Sequence, residues 1–403
     1  MDFDHDVIVI GGGPAGSTFA RYAAAEGMDV LVVDKRKEIG VPVRCGEGLG
    51  ESEIITGEVD LPGRCFSTNV RGARIYAPNG KSLTWKTDGT QGWVLERKIF
   101  DKWLCELAVE KGARVKVYTR ATGLLKENGS INGVMLSESG KGEYPARAPL
   151  VVSAEGMESM IAREAGFNTV HRLQDVGTCY QYEMKPIEHE NLIELYFGKQ
   201  VAPRGYVWIF PKAGRKANVG VGIGGHLTDW KKRSGIDGAA PKEVLDRFIE
   251  KRKGFSDANI LTEFGGVISV GAPMKEFVTD NFMVIGTAAK QVDPIHGGGI
   301  YLAMHAGRLA AGIAAKAHET KDYSKKTLYE YEKLWRESEG KTCEQRLKLQ
   351  KALEKLDDED LDYIIGAVTY KDLELAMSGK FAEPVAKIVA GRPRLLKVLG
   401  ALR

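Results

Sequence analysis

Four apolar residues, Val7-Ile8-Val9-Ile10, run straight into Gly11-Gly12-Gly13-Pro14-Ala15-Gly16, and this junction constrains the chain more than any other stretch. An unbroken apolar run suits a strand buried on both faces, as the strands of a parallel sheet are. The spacing predicts an Ala-rich helix from about Ser17 to Glu26, ended by Gly27, then a second buried strand, Val30-Leu31-Val32-Val33, closed by Asp34. That is a βαβ unit. Within it, Gly11 permits the tight turn and Gly13 lets a pyrophosphate approach the backbone. Gly16 packs the helix on the strand, and the helix N-terminus offers free N–H groups to the anion. Asp34, 18 residues beyond Gly16, would accept hydrogen bonds from ribose hydroxyls. A dinucleotide is the expected ligand, although this fingerprint serves FAD and NAD alike.

Composition narrows the class. The 403 residues are 43% hydrophobic, enough for a sizeable core and too much for a disordered chain. Lys and Arg number 57 against 54 acids, and a balance of +3 gives no reason to expect nucleic acid. No stretch approaches 18 uninterrupted apolar residues, and Met1-Asp2-Phe3-Asp4-His5-Asp6 is acidic where a signal peptide is basic. Five cysteines without a C-x-x-C pair imply neither a disulfide framework nor a metal. A soluble, cytoplasmic protein is expected.

Polar and apolar residues alternate through 70–95, as in antiparallel strands, and Glu96–Lys111 has helical periodicity. Short strands are expected at 114–118, 121–126, 131–136 and 150–154, several more across 176–225, and a helix at 241–253. From about Leu302 to Met377 helix formers dominate. The expected class is α/β: a Rossmann-type FAD-binding domain (1–70, 96–165 and 265–320) interleaved with an antiparallel-sheet substrate domain (71–95 and 166–264), plus a C-terminal helical region (321–403).

Two later segments decide the cofactor. Arg97, Asp101 and Leu104 follow one another at R-x3-D-x2-L spacing, and Gly286-Thr287-Ala288-Ala289 through Pro294 to Gly297-Gly298-Gly299-Ile300 forms a second glycine-rich turn opening a helix. Both resemble the flavoprotein group that includes para-hydroxybenzoate hydroxylase, in which the second turn holds the ribityl chain, inner phosphate and flavin ring. The resemblance implies FAD, held by Gly11, Gly13, Pro14, Ala15, Gly16, Asp34, Arg97, Ala121, Gly286, Thr287, Gly298, Gly299 and Ile300, and by Cys45, Gly46 and Gly48 of an earlier loop. Thr287 stands where the group usually carries Asp, and Glu155-Gly156 where it carries Asp-Gly. His296 reads first as a turn residue bonded to backbone, and second as a proton relay.

Pro203-Arg204-Gly205-Tyr206-Val207-Trp208-Ile209-Phe210-Pro211 reads as a strand with Tyr206, Trp208 and Phe210 on one face. Three rings on one face can simply be core. The string P-x-x-Y-x-W-x-F-P, however, is similar to the signature of the geranylgeranyl reductase family, and Arg44-Cys45-Gly46-Glu47-Gly48 is similar to the cysteine loop of its archaeal members. The resemblance runs from residue 5 to about residue 310. It implies hydride transfer from reduced flavin to the prenyl double bonds of archaeal ether lipids, a prenylated glycerophospholipid being the substrate. Tyr206, Trp208, Phe210 and Trp93 would line an apolar tunnel, and Cys45 would either donate the proton or pack against the flavin. The rival enzyme is a flavin monooxygenase acting on an apolar substrate; the non-enzymatic rival is a prenyl-lipid carrier. No second G-x-G-x-x-G following a strand is evident, so the electron donor is expected to be transiently bound NADPH or a reduced ferredoxin. Finally, Leu395, Leu396, Val398, Leu399 and Leu402 gather on one face of a basic C-terminal helix, which suits either a peripheral membrane contact or docking on the protein's own core.

Overall fold

The computed structural model describes residues 2–51, 61–224 and 240–399. Its first layer is a six-stranded sheet in the order Val278–Thr279, Phe282–Val284, Leu150–Ser153, Val7–Ile10, Val30–Val33, Arg114–Lys116. All pairs are parallel except the first. The four residues of Val7–Ile10 and of Val30–Val33 are all buried, as their unbroken apolar runs require. The helix between them spans Pro14–Ala25, three residues earlier than periodicity predicts. Pro14 at its first turn has no N–H to lose and a preset φ, so it starts the helix rather than preceding it.

The helix Ile300–Thr320 crosses close against Pro14–Ala25. Gly307 makes that approach possible, because a Cβ there would lie 2.5 Å from the Ala15 carbonyl oxygen. An antiparallel sheet of Thr119–Glu127, Ser130–Glu138 and Gly142–Arg147 closes the same core with Ile131, Val134, Leu136 and Ala146. Its third strand was not expected: Gly142–Arg147 contains a proline and only two apolar residues, a pattern too polar to read as a strand.

The second layer is a seven-stranded sheet in the order Asn259–Ser269, Val176–Lys185, Lys216–Gly224, Tyr206–Lys212, Ile193–Tyr196, Gly72–Tyr76, Ser82–Lys86. It is antiparallel except where Ile193–Tyr196 meets Gly72–Tyr76. Helix Pro241–Glu250 lays Val244 and Leu245 on one face, against Val207, Ile209, Val219 and Val221. Alternation therefore turns Tyr206, Trp208 and Phe210 to the opposite face. The run 70–95 does not stay together as expected. Gly92–Leu95 leaves the large sheet and pairs with Gly48–Gly50 and Phe66–Val70 in a small sheet of its own. The rest of 41–50 is irregular, as its glycines imply.

The helical region after residue 320 is divided between two cores. Leu328, Tyr331, Trp335 and Cys343 join the core of the six-stranded sheet. Leu356, Val368, Phe381, Val385, Ile388 and Leu395 form another, which leans on the Ser82–Lys86 hairpin with Trp85 stacked on Tyr370 at 4.8 Å. Leu395 is only 1% exposed. Arg392 and Arg394 pair with Asp360, and Arg394 also with Asp357. Leu396 faces solvent, while Leu402 lies outside the described residues. Among the described residues no helix is long and apolar enough to cross a membrane.

Candidate active site

The first glycine turn has the geometry its spacing predicts. Gly11 sits at φ +109°, and a Cβ there would meet the Ala154 carbonyl oxygen at 2.4 Å. A Cβ on Gly16 would lie 1.9 Å from the Gly11 oxygen, so helix and strand touch only because neither carries a side chain. Gly13 differs: nothing lies within 4 Å of where its Cβ would be. That space fronts the N-terminus of Pro14–Ala25, which has no side-chain cap and no acid in its first turn. An anion fits there on both steric and electrostatic grounds. Asp34 stands beside it, 8% exposed, with one oxygen accepting from the Gly12 N–H at 2.9 Å and the other from the Arg36 N–H at 2.8 Å. Part of its capacity thus fixes the turn. Ala121 lies half-buried on the strand whose first residue, Thr119, donates its N–H to the Asp34 carbonyl.

The second turn abuts the first. Gly286 has φ +66°, and a Cβ on it would lie 2.7 Å from the Ala15 Cβ. Buried Gln291 accepts from the Gly286 N–H at 2.6 Å and donates to the Tyr331 hydroxyl at 2.9 Å. Asp293, 1% exposed, accepts from the N–H groups of Ile295 and His296 at 2.8 and 3.1 Å and is ion-paired with Arg346. Burial raises its pKa, but His296, Arg346 and these N–H groups outweigh that and hold the carboxyl below the usual range. Burial pushes the His296 imidazole down, against the attraction of Asp293. Its Nδ1 accepts from the Gly298 N–H at 3.1 Å, so the neutral ring carries its proton on Nε2. This is the backbone-bonded turn residue of the plainer reading. Thr287, Gly298 and Gly299 lead into Ile300–Thr320, a second helix start with no side-chain cap and no acid in its first turn. Two helix N-termini therefore converge, which suits a ligand carrying two phosphates.

The aromatic strand faces the cysteine loop. The ring centroids of Tyr206 and Trp208 are 5.9 Å apart, and those of Trp208 and Phe210 6.2 Å. Cβ atoms on Gly46 and Gly48 would lie 3.0 and 2.9 Å from the Phe210 ring. Trp208 rests over Gly220, where a Cβ would come within 2.3 Å of its ring. Its Nε1 donates to Gln181 at 2.8 Å, and Gln181 donates to the Cys45 carbonyl at 3.3 Å. The Tyr206 hydroxyl donates to the His296 carbonyl at 2.5 Å, which ties this face to the second turn. Burial pushes the Tyr206 phenol up, so it remains a donor. Trp93, 9% exposed, packs with Leu49, Ile300 and Met304, and Cys45 borders the same cluster. The Cys45 sulfur accepts from the Glu47 N–H at 3.2 Å and is bonded to the Arg97 guanidinium. Arg97 clasps Asp101 through two bonds of 2.6 and 2.7 Å. Burial opposes its charge, but the Asp101 carboxylate holds it charged.

Residues 6–181 match the family described as FAD dependent oxidoreductase, and residues 175–268 the geranylgeranyl reductase catalytic domain. The chain is 42% identical over 363 residues to the digeranylgeranylglycerophospholipid reductase of Methanosarcina acetivorans, covering 89% of this chain and 87% of that protein. It is 39% identical to the reductase of the same name from Methanoculleus marisnigri, over 100% of this chain and 99% of that one. The chain belongs to the geranylgeranyl reductase family. A solved geranylgeranyl bacteriochlorophyll reductase-like protein from Thermoplasma acidophilum is 34% identical and superposes with a TM-score of 0.89, each chain covered to 99%. A flavin-dependent brominase at 19% identity shares the fold, with a TM-score of 0.75 over 98% of this chain and 99% of that one.

Family membership and the two uncapped helix starts agree on FAD. The aromatic strand carries more than its three rings. Lys212, two residues after Phe210, is 1% exposed and reaches Glu47, Glu96 and Glu183 at 3.0, 3.0 and 3.1 Å. Burial disfavours its charge, yet Glu47 and Glu96 raise its pKa above the ordinary lysine value. Sequence reasoning missed this cluster, as it missed Gln181, Gln291 and Arg346. Only Lys212 carried a signal: a lysine continuing a buried aromatic strand, which a satisfied core does not tolerate unpaired.

Proposed function

We propose that the chain reduces the double bonds of geranylgeranyl chains on glycerophospholipids, in keeping with the reductases it is similar to. The observation that carries this reading is one apolar face, Tyr206–Trp208–Phe210, set against the Cys45 loop and hydrogen-bonded to the second glycine turn. FAD, when bound, supplies the hydride. The two helix N-termini would hold its phosphates, with Asp34 at the ribose and Arg97, Thr287 and Ile300 nearby.

The chain's own task is to hold an isoprenoid, which offers only apolar surface, and to keep water away from it. Tyr206, Trp208 and Phe210 supply rigid rings for that purpose, with Trp93 on the adjoining cluster. An isolated alkene gains a hydride on one carbon and a proton on the other. The Cys45 sulfur already accepts from the Glu47 N–H and meets the Arg97 guanidinium, so its own S–H is directed away from both. We assign it the proton. Electrons reach the flavin from a donor that docks transiently, NADPH or a reduced ferredoxin.

Anaerobic titration of the flavin with each donor, followed by incubation of the reduced enzyme with a digeranylgeranyl lipid, tests the whole reading. Each double bond reduced adds the mass of two hydrogens to the lipid. A lipid recovered unchanged would assign a carrier, and consumption of O2 stoichiometric with added lipid would assign a monooxygenase.

A further inference from the structure

We infer that Lys212 is a positioning residue: acting through Glu47, it fixes the Cys45 loop against the aromatic face. The inference starts from how many elements meet at one buried ammonium. Lys212 ends the aromatic strand, Glu47 belongs to the cysteine loop, Glu96 precedes helix Arg97–Glu110, and Glu183 lies on Val176–Lys185. All three carboxylates are within 3.1 Å of the Lys212 Nζ. Lys216 adds a second cation to Glu183 at 3.6 Å.

Glu47 makes this junction matter for the loop. Its carboxylate accepts from the Arg97 N–H at 2.8 Å with one oxygen. The other oxygen takes Lys212 at 3.0 Å and the Asn218 amide at 2.8 Å. Its backbone carbonyl accepts from the Leu95 N–H at 2.7 Å, and its N–H donates to the Cys45 sulfur. Its φ is +72°, a conformation that a residue other than glycine keeps only where its surroundings hold it. Asn218 also donates to the Gly46 carbonyl at 3.2 Å. Cys45, Gly46 and Glu47 are thus each tied to the sheet that carries Trp208 and Phe210.

Stability alone does not explain the arrangement. A buried ion pair is commonly no more stable than well-packed apolar residues of the same volume, because desolvating the charges offsets their attraction. What the charges supply is a single geometry. A carboxylate shared among a lysine, an amide and a helix N-terminus has one placement that satisfies all three. A leucine there would leave the loop free to slide across Phe210.

The inference rests on the proposed placement of Cys45 at the substrate, but its test need not. We would measure the rate at which iodoacetamide alkylates Cys45, mapped by mass spectrometry, in FAD-loaded Lys212→Met, Glu47→Gln and the double variant. The double variant removes both charges together and so leaves less imbalance if a single variant does not fold. Cys179, on the sheet behind the loop, is the internal reference. Loss of one buried charged hydrogen bond corresponds to about a tenfold or larger effect. Cys45 alkylation should therefore rise roughly tenfold in each folded variant, with flavin content and Cys179 reactivity unchanged. The double variant should rise no further than the larger single, since the two residues act as one unit. In the reductase assay kcat should fall with little change in KM. An unaltered Cys45 rate, or equal rises at Cys45 and Cys179, would overturn the positioning role. A rise at Cys45 in the variants, where the parent enzyme itself fails to reduce prenyl lipids, would leave this inference standing and overturn the proposed function instead.

Discussion

Two glycines of the first turn, three residues apart, should respond to substitution in opposite ways. Gly13 has φ −79° and ψ −174°, a conformation open to any residue, and no atom lies within 4 Å of its missing Cβ. Gly13→Val should cost the fold little, about 1 kcal/mol or less from replacing a favourable N-cap residue. Its side chain would instead fill the space before two helix N-termini, where the proposed FAD site puts the pyrophosphate. Gly16→Ala does the reverse. Its Cβ would be 1.9 Å from the Gly11 oxygen, a backbone atom that cannot turn aside. Overpacking of this kind costs about 1–3 kcal/mol or more while leaving the pyrophosphate space open. The assay is paired: flavin absorbance of the purified variant, and thermal unfolding with and without added FAD. At a hundredfold excess over its Kd a ligand stabilises by about 2.7 kcal/mol. Gly13→Val should be colourless, melt like the apoprotein and gain none of that increment. Gly16→Ala should melt several degrees lower, yet still be shifted upward by FAD. A yellow Gly13→Val binding FAD within about threefold of the parent (under ~0.7 kcal/mol) would refute the placement of the pyrophosphate.

Other outcomes follow from the same geometry. Cys45→Ser should retain FAD and lose about 10²–10⁴-fold in alkene reduction, the usual range for a general acid; a rate within roughly threefold of the parent would make the thiol packing only. Trp208→Ala should cost about 3–5 kcal/mol of stability, leave buried Gln181 without its donor, and penalise long prenyl chains more than short ones. Equal kinetics at every chain length would assign the ring to the core. Because the folded-state pKa of Asp293 is lowered, its contribution is complete above the unfolded carboxylate value near 3.8 and is lost as pH falls through the lower folded value. Acid-induced flavin release below about pH 4 should therefore flatten in Asp293→Asn, and an unchanged pH profile would assign that release to other groups. Deleting residues 392–403 should lower the melting temperature by exposing the core that Leu395 closes, while sedimentation with anionic vesicles stays as in the parent; a loss of vesicle binding at unchanged stability would give the tail to the membrane.

The parts legible in the sequence are those in which one local pattern has one physical solution. A fully apolar tetrapeptide followed by G-x-G-x-x-G can pack only as a buried strand entering a helix, so the first turn, Asp34 and the parallel sheet were readable. The alternation of Tyr206, Trp208 and Phe210 gave the face they share, but not what opposes it. That requires Gly46, Gly48 and Gly220, glycines whose meaning lies in a ring brought up from elsewhere in the chain. The partners of Lys212 were illegible for the same reason: Glu47, Glu96 and Glu183 come to it from 165, 116 and 29 residues away. Gly92–Leu95 shows another form of the problem. Its residues have strand character in either sheet, and only the positions of Leu49 and Phe66 decide which sheet receives it.

The C-terminal tail shows where periodicity stops being informative. Leu395, Val398 and their neighbours declare an apolar face, and any such face will be covered; the pattern does not say by what. The basic residues suggested anionic lipid. Yet Asp357, Glu359 and Asp360 begin the helix Asp358–Ala367 some thirty residues upstream, and acids at a helix start are themselves favourable. Those same acids receive Arg392 and Arg394. Two charges of a run that reads as unbalanced over twenty residues are thus paired once the chain turns back on itself. The ion pairs set the tail's direction, and Leu395 then closes the core beneath them. Charge asymmetry over a short window reports on partners only after the chain's own opposite charges have been placed.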